Sequence, residues 1–597
     1  MRRAVWPRVL ALGFRAAPRH MVAALVVWIV GAFAMSAYAV GFQQIVDGYL
    51  EHDDAEVMRG AVLTAVLFSV GWTVTVLAAN IGFGLSDHVA LRLLEQVAHA
   101  AATEPRLRRL EGAEYRRRLG AVRDGRVLLA AGPRHLLALF QAVLRALGIA
   151  LVLGLVYPPL AALPLAAVLP VALERVAARA RTAAERDLAA DRTTATALLD
   201  LAASPTAAAE LRVHGLGAEL LRRHRAVADR GVAALRRRTA RPTVLRSAGW
   251  AVYAAVFTAG LGLVVVRAAD HQASVGQLLM VAAVVRRSQL VSGQAAAALG
   301  RLVSVGDVMR DYLWLRGRFA GERAPGTAPP VPSRIVHGLD LDGVGFAYDD
   351  GPPALDGVTL HVPAGSLVVL IGENGAGKST LVKLLTGVYA PTRGRILLDG
   401  ADIAGFARDD WHAAIAVTFQ DFVRYELTAG QNIGVGDLPR LDDAPAAWDA
   451  LRSCGDGAWA RGLPDGLDTP VGRTLPGAVD LSGGQWQQLA IARGRLRDRP
   501  LLHLVDEPGA GLDPAAEEAV VGHYVRDARR RAAATGTITV LVTHRMTTAV
   551  RADLVVFLDA AGGALAGAHA DLLAASPRYA ELFTAQAAAY HVGEGTR

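Results

Sequence analysis

Gly372-Glu373-Asn374-Gly375-Ala376-Gly377-Lys378-Ser379-Thr380 is a complete phosphate-binding loop of the form G-x-x-x-x-G-K-[ST]. An apolar run, Leu367 to Ile371, precedes it, and a helix-like run, Leu381 to Leu385, follows. In that strand–loop–helix context the glycines let backbone N–H groups turn inward. The helix N-terminus adds partial positive charge toward a phosphate. Lys378 and Lys383 are the only lysines in the chain, and arginine supplies the remaining basic side chains. A compact ammonium is thus kept where the β- and γ-phosphates need one. The stretch predicts binding of a nucleoside triphosphate, ATP, and leaves open what that binding drives.

The surrounding chain is too long for one domain at 597 residues, and 53% of it is hydrophobic. A mean hydropathy of +0.31 is too apolar for an ordinary soluble protein. The net charge of +8 would suit nucleic acid, but the arginines fall in blocks between apolar runs, as in membrane proteins. The single cysteine, Cys454, excludes an intrachain disulfide or a cysteine-rich metal site and reads as a small buried hydrophobe.

Six apolar stretches, most of about 20 residues, precede residue 305. They run near Met21–Gly41, Ala61–Gly82, Leu136–Val156, Leu160–Leu173, Ala248–Val266 and Val275–Leu299. Tyr157-Pro158-Pro159 separates the third from the fourth and predicts a tight hairpin at one membrane face. The fourth is short and contains Pro164 and Pro170. Arg2, Arg3, Arg8, Arg15 and Arg19 make the N-terminal segment basic, whereas the connection Asp47 to Glu56 is acidic. The connections through Arg106–Arg118 and Glu174–Arg246 are basic, and those at Tyr157–Pro159 and Arg267–Ser274 are short. This alternation places the N-terminus, both long connections and everything beyond residue 300 in the cytoplasm of a multi-pass cell-membrane protein. Ala37-Tyr38-Ala39 mimics a signal-peptide cleavage site, but the apolar run ahead of it is longer than a usual h-region. The two long connections are rich in Ala, Leu, Arg and Glu, so their helices should continue past the bilayer and end in turns able to reach a nucleotide-binding domain. Membrane lipids are expected partners and nucleic acid is not.

The expected organisation is a transmembrane domain over 1–320, a Pro-rich linker over 321–333, and a nucleotide-binding domain over 334–597 in which strands and helices alternate. In the last, Leu501-Leu502-His503-Leu504-Val505-Asp506-Glu507 is an apolar strand ending in two acids. Asp506 fits a Mg²⁺-organising carboxylate with Ser379 as a Mg²⁺ ligand, and Glu507 is placed to polarise an attacking water.

Leu481-Ser482-Gly483-Gly484-Gln485 then resembles the signature sequence of ATP-binding cassette (ABC) proteins. With the preceding elements the chain is similar to half-transporters of the exporter type: a six-span α-helical membrane domain fused to an α/β phosphate-loop domain. The resemblance implies roles residue by residue. Tyr348 would stack on adenine, Gln420 would touch Mg²⁺ and relay the nucleotide state, and His544 would act as the switch histidine on the γ-phosphate. Ser482, Gly483, Gly484 and Gln485 would contact the nucleotide of the opposite protomer, and Asp513 would lie in the loop crossing the dimer interface. There are two departures. The interface loop reads Ala510-Gly511-Leu512-Asp513 where the family commonly has Ser-Ala-Leu-Asp, and Arg473 stands where many exporters have glutamate.

The resemblance further implies an ATP hydrolase coupled to transport, with ATP and Mg²⁺ as cofactors, working as a dimer of two copies or with a related half-transporter. ATP drives alternating access because it binds the closed state better. The segments Phe419–Thr428 and Asp480–Gln487 look like those of exporters of ribosomally made, modified peptides such as lanthipeptides. No peptidase-like stretch precedes the first span, so leader cleavage is not expected. A lipid or multidrug exporter, a siderophore-type importer and an ATPase sensor or immunity protein are the other functions open to this architecture. Arg145, Arg286 and Arg287 fall near the middle of apolar runs. An arginine at that depth costs about 2.5–3.5 kcal/mol on insertion scales, so they read either as lining a substrate cavity for anionic cargo or as paired within the helices.

Overall fold

The computed structural model describes residues 5–102, 107–205, 207–270, 272–319, 328–348, 351–454, 457–509, 514–559 and 562–591. The chain forms two compact units, Met1–Glu104 with Gly112–Gly321, and Glu322–Arg597 with the short segment Pro105–Glu111.

The first unit is helical. Among the described residues, five helical segments are long and apolar enough to cross a membrane: Pro18–Glu51, Asp54–Ala102, Ala113–Val156, Pro158–Asp187 and Gly217–Ala269. Each contains one of the first five apolar runs. The sixth run opens the 45-residue helix Val275–Phe319, which falls outside that set because Arg286, Arg287 and several Gln and Ser residues dilute its apolar stretch. The longest helix, Gly217–Ala269, has 53 residues. At 1.5 Å per residue that is about 80 Å, against about 30 Å for the hydrocarbon core of a bilayer. These helices therefore run far beyond any apolar layer, as the Ala-, Leu- and Arg-rich connections predict. At Tyr157 the backbone is extended, and Pro158, Pro159 and Pro164 each lack a donor, so Pro158–Ala167 winds as a 3₁₀ helix before an α-helix resumes at Val168. Asp47, from the acidic connection, accepts bonds from Ser274 Oγ at 2.7 Å and Gly276 N–H at 2.9 Å, tying the first span to the start of the sixth helix.

Among the described residues the second unit carries ten strands: β1 (Gly338–Ala347), β2 (Pro353–Pro363), β3 (Leu367–Gly372), β4 (Arg393–Leu398), β5 (Ala401–Asp402), β6 (Ile415–Thr418), β7 (Leu502–Asp506), β8 (Ile538–Val542), β9 (Leu554–Leu558) and β10 (Ala564–Gly567). They make an antiparallel sheet ordered β2-β1-β4-β5 and a second sheet ordered β10-β9-β3-β8-β7-β6. In the second, β9, β3, β8, β7 and β6 are mutually parallel. Strands β3, β7 and β8 are buried at every position, which is why they read as largely apolar runs, with His503, Asp506 and Thr539 the buried polar positions among them. Alternation still assigns their faces: Val368 and Leu370 join the core under the antiparallel sheet, Val369 and Ile371 the core under the helices. In the same unit Leu107 leans on the first of these cores, and Tyr389 donates its hydroxyl to Glu111.

Polar groups also bind this interior together. Arg495, the last residue of the helix Gly483–Arg495, is buried and paired with Asp527 of the helix Pro514–Thr535. Arg531 from that second helix donates to His503 Nδ1 on β7 at 3.1 Å. Complete burial and the two neighbouring guanidiniums hold His503 neutral, well below its ordinary pKa. Cys454 is buried as expected, and desolvation raises its thiol to about 11, so it is chemically quiet.

Candidate functional site

Parallel strand order decides where the site forms. The phosphate loop leaves β3, Asp506 and Glu507 end β7, His544 follows β8, and Gln420 follows β6. All four strands point the same way and are neighbours, so their C-terminal ends converge on one crevice.

The loop itself depends on its glycines. Gly375 and Gly377 have φ of 85° and 90°, in the left-handed region that disfavours side chains. Gly377 is further constrained, since a Cβ there would lie 2.4 Å from the Ala354 carbonyl oxygen. The eight-residue helix Lys378–Leu385 starts at the next residue, directing its N-terminal N–H groups into the loop. Lys378 is buried and its Nζ donates to the carbonyls of Gly372 and Glu373, each at 2.9 Å. Desolvation lowers its pKa, opposed by the charges of Glu507 and Asp506. The ammonium is therefore held at the loop mouth, with two carboxylates favouring its charged form.

Asp506 is buried at 3% exposure, and burial raises its pKa above the ordinary carboxylate value while a bond from the Ser379 hydroxyl opposes the shift. Its Oδ1 is buried without a partner. An orphaned carboxylate oxygen beside a hydroxyl is the kind of donor set a small hard divalent cation takes, so Ser379 and Asp506 fit Mg²⁺. Glu507 has φ of 49°, unusual for a residue with a side chain, and its N–H is held by Val542 O at 3.1 Å. This turn brings its carboxylate to two partners: Gln420 Nε2 donates to Oε2 at 2.7 Å, and His544 Nε2 pairs with Oε1. Of the three residues expected to be catalytic, Gln420 and His544 thus each contact the third, Glu507.

Tyr348 is partly exposed. Its hydroxyl shares a bond with Thr380 Oγ1 at 3.1 Å, and its ring is wedged edge-on against Phe346 and Tyr389. That fixes an aromatic ring beside the end of the phosphate loop. Ser482 caps the helix Gly483–Arg495 through a capping box with Gln485, which leaves Ser482 and Gly483 exposed at the helix start. Asp513 lies outside the described residues.

Residues 355–510 match the ABC transporter family model. Residues 355–510 are thus an ABC transporter domain, and the chain has the ABC exporter fold. An ABC transporter domain implies ATP binding. The chain is 37% identical over 257 residues to the ATP-dependent lipid A-core flippase of Chromohalobacter salexigens, covering 43% of this chain and 42% of that protein. It is 28% identical over 327 residues to the subtilin transport ATP-binding protein SpaT of Bacillus subtilis, covering 54% and 52%. The matched stretches thus span about half or less of these relatives' length. A solved structure of a bacterial Atm1-family ABC exporter with ATP bound superposes with a TM-score of 0.79 at 22% identity, covering 96% of this chain and 99% of that one. The fold likeness therefore includes the helical unit.

Arg473 has a partner that spacing did not disclose. Its guanidinium binds Asp480 at 2.8 Å, while Glu426 accepts from its N–H and from Thr474 Oγ1. The residue that departs from the family pattern braces the strand of chain leading into Ser482. Equally invisible beforehand were Arg578 and Gln586, which reach the site from the helix Pro577–His591. No local pattern marks them, because Arg578 and its partner Glu373 are 205 positions apart. In the helical unit Arg145 is buried and its Nη1 donates to Gln294 Oε1 at 3.3 Å, whereas Arg287 is half-buried and Arg286 exposed. A cavity of about 640 Å³ in that unit is lined by other charges, among them Glu174, Arg181, Arg236, Arg246 and Arg301.

Proposed function

We propose that this chain is an ATP-driven membrane exporter, a half-transporter that works as a dimer by alternating access. The observation that carries this reading is the contact of Gln420 and His544 with Glu507 beside the Ser379–Asp506 pair, at the mouth of a phosphate loop. Lys378 and the loop N–H groups bind the β- and γ-phosphates, Tyr348 stacks on the base, and Asp506, Ser379 and Gln420 would hold Mg²⁺, which would supply charge neutralisation on the phosphates. Glu507 orients the attacking water and accepts its proton, and His544 contacts the γ-phosphate. Ser482–Gln485 and Asp513 serve the ATP bound to a second copy. Residues 1–320 form the membrane domain and 334–597 the nucleotide-binding domain, joined by the linker 321–333. The N-terminus and the nucleotide-binding domain face the cytoplasm of a cell-membrane protein.

For cargo we propose a peptide or peptide-like natural product. The relative named for subtilin transport aligns over a longer share of this chain than the flippase relative does, and the Phe419–Thr428 and Asp480–Gln487 segments point the same way. Inside-out vesicles loaded with the chain and offered a panel of modified peptides and lipids test it. ATP-dependent uptake of a peptide is the expected result; uptake of lipid alone overturns the cargo, and movement out of the vesicles overturns the direction.

Arg287 carries a second test. Its charge is half-exposed on a helix whose neighbour Arg145 is already engaged by Gln294, so it is the better candidate to meet cargo. Arg287→Ala is expected to reduce cargo-stimulated ATPase several-fold, about the worth of one charge-assisted bond, while basal ATPase stays within about twofold. Equal loss of both rates would remove Arg287 from the cargo path.

A further inference from the structure

The helix Pro577–His591 touches two separate loops of the site. At its start the Arg578 guanidinium binds Glu373, with Nε donating to Oε1 at 2.7 Å. About two turns later Gln586 spans the turn after β8: its Oε1 accepts from the Met546 N–H at 3.0 Å, and its amide donates to the His544 carbonyl. Between them Tyr579 is fully buried, packs edge-on against Phe557 of β9, and shares a bond with His569 at 2.8 Å. The helix is anchored to the parallel sheet through Tyr579, and its two polar ends hold the phosphate loop and the His544 turn.

Glu373 makes the first contact meaningful. It is the second residue of the phosphate loop, so a carboxylate is carried on the very loop that must accept a polyanion. Arg578 neutralises that charge from outside the loop. Gln586 satisfies both a donor and an acceptor of the His544–Met546 turn, which leaves the imidazole free to meet Glu507. We propose that this helix is a positioning brace for the ATP site. Arg578 sets the charge the phosphate loop presents through Glu373, and Gln586 holds the His544 turn in the geometry that hydrolysis needs. This rests on the ATPase reading above.

The full-length chain in nanodiscs, with a fluorescent ATP analogue for binding and phosphate release for turnover, tests both arms. Arg578→Ala is expected to weaken nucleotide binding about threefold at low salt, an effect that fades near ~0.5 M salt because the pair is exposed and screened. Adding Glu373→Gln in the same chain is expected to return affinity to the wild-type value or above. Gln586→Ala is expected to lower kcat about tenfold with KM for ATP within about twofold, since two bonds positioning a group that acts in the transition state are lost. Unchanged affinity in Arg578→Ala, a loss insensitive to salt or to Glu373→Gln, or unchanged kcat in Gln586→Ala overturns the brace. A lowered melting temperature with intact Kd and kcat would make the helix purely structural and also overturns it. A wild-type chain that binds nucleotide without turnover overturns the hydrolytic reading instead, and the binding arm still decides the role of Arg578.

Discussion

Glu507→Gln is expected to cut ATP turnover by about 10²–10³-fold while nucleotide affinity stays within about threefold. The substitution keeps the shape of the side chain and its place between Gln420 and His544, and removes the charge that accepts a proton from water. Glu507 is held at φ of 49° by the backbone bond to Val542, so its position is imposed by the sheet and survives the change. A fall of that size corresponds to about 3–4 kcal/mol of transition-state stabilisation, within the range for a single positioned acid–base or charge-stabilising group. Phosphate release from the reconstituted chain, set beside binding of a fluorescent ATP analogue, makes the comparison. Turnover above half the wild-type rate would mean that the proton acceptor lies elsewhere, and would favour a nucleotide sensor over a pump.

Gly377→Ala is expected to weaken ATP binding by about 10²-fold and to destabilise the nucleotide-binding unit by about 2–4 kcal/mol, from an unfavourable φ added to overpacking. The new methyl group would meet the Ala354 carbonyl oxygen at 2.4 Å and Leu355 Cδ2 at 2.8 Å. The first of these is backbone of β2 and cannot rotate away, so the loop must shift and its N–H groups lose their common focus. Gly375→Ala is the control: its φ of 85° is nearly the same, but its added methyl meets nothing within 4 Å. Only the conformational cost remains there, about 1–2 kcal/mol. Equal losses in the two variants, measured by binding and by thermal unfolding, would show that contact with Ala354 is not what confines the loop.

What could be read beforehand was what depends on short sequence intervals. Glycine and lysine spacing, an apolar strand ending in Asp506 and Glu507, and a serine ahead of Gly-Gly-Gln are all local, and each sits where the spacing implied. The apolar runs were legible for the same reason. The sixth helix shows the limit: its length is that of a span, yet Arg286 and Arg287 keep its composition below what length and apolarity alone would pick out. The proline-dense fourth span was legible as irregular, but the 3₁₀ winding of Pro158–Ala167 follows from how missing donors are accommodated among neighbouring helices. Arg473 was legible as a departure and not as a bond, because its choice of Asp480 depends on how the intervening loop closes.

A phosphate loop, an acidic strand end, a capped signature helix and a set of long apolar helices are each written in residues close together along the chain, and so are legible there. Which of these elements meet is set by long-range packing. The order β3-β8-β7-β6 is set by crossover connections between parallel strands, and it carries Gly372, His544, Glu507 and Gln420 to one crevice from across 173 positions, from 372 to 544. The same long-range packing laid the helix Pro577–His591 across that crevice, where Arg578 and Gln586 found partners that no interval along the chain encodes.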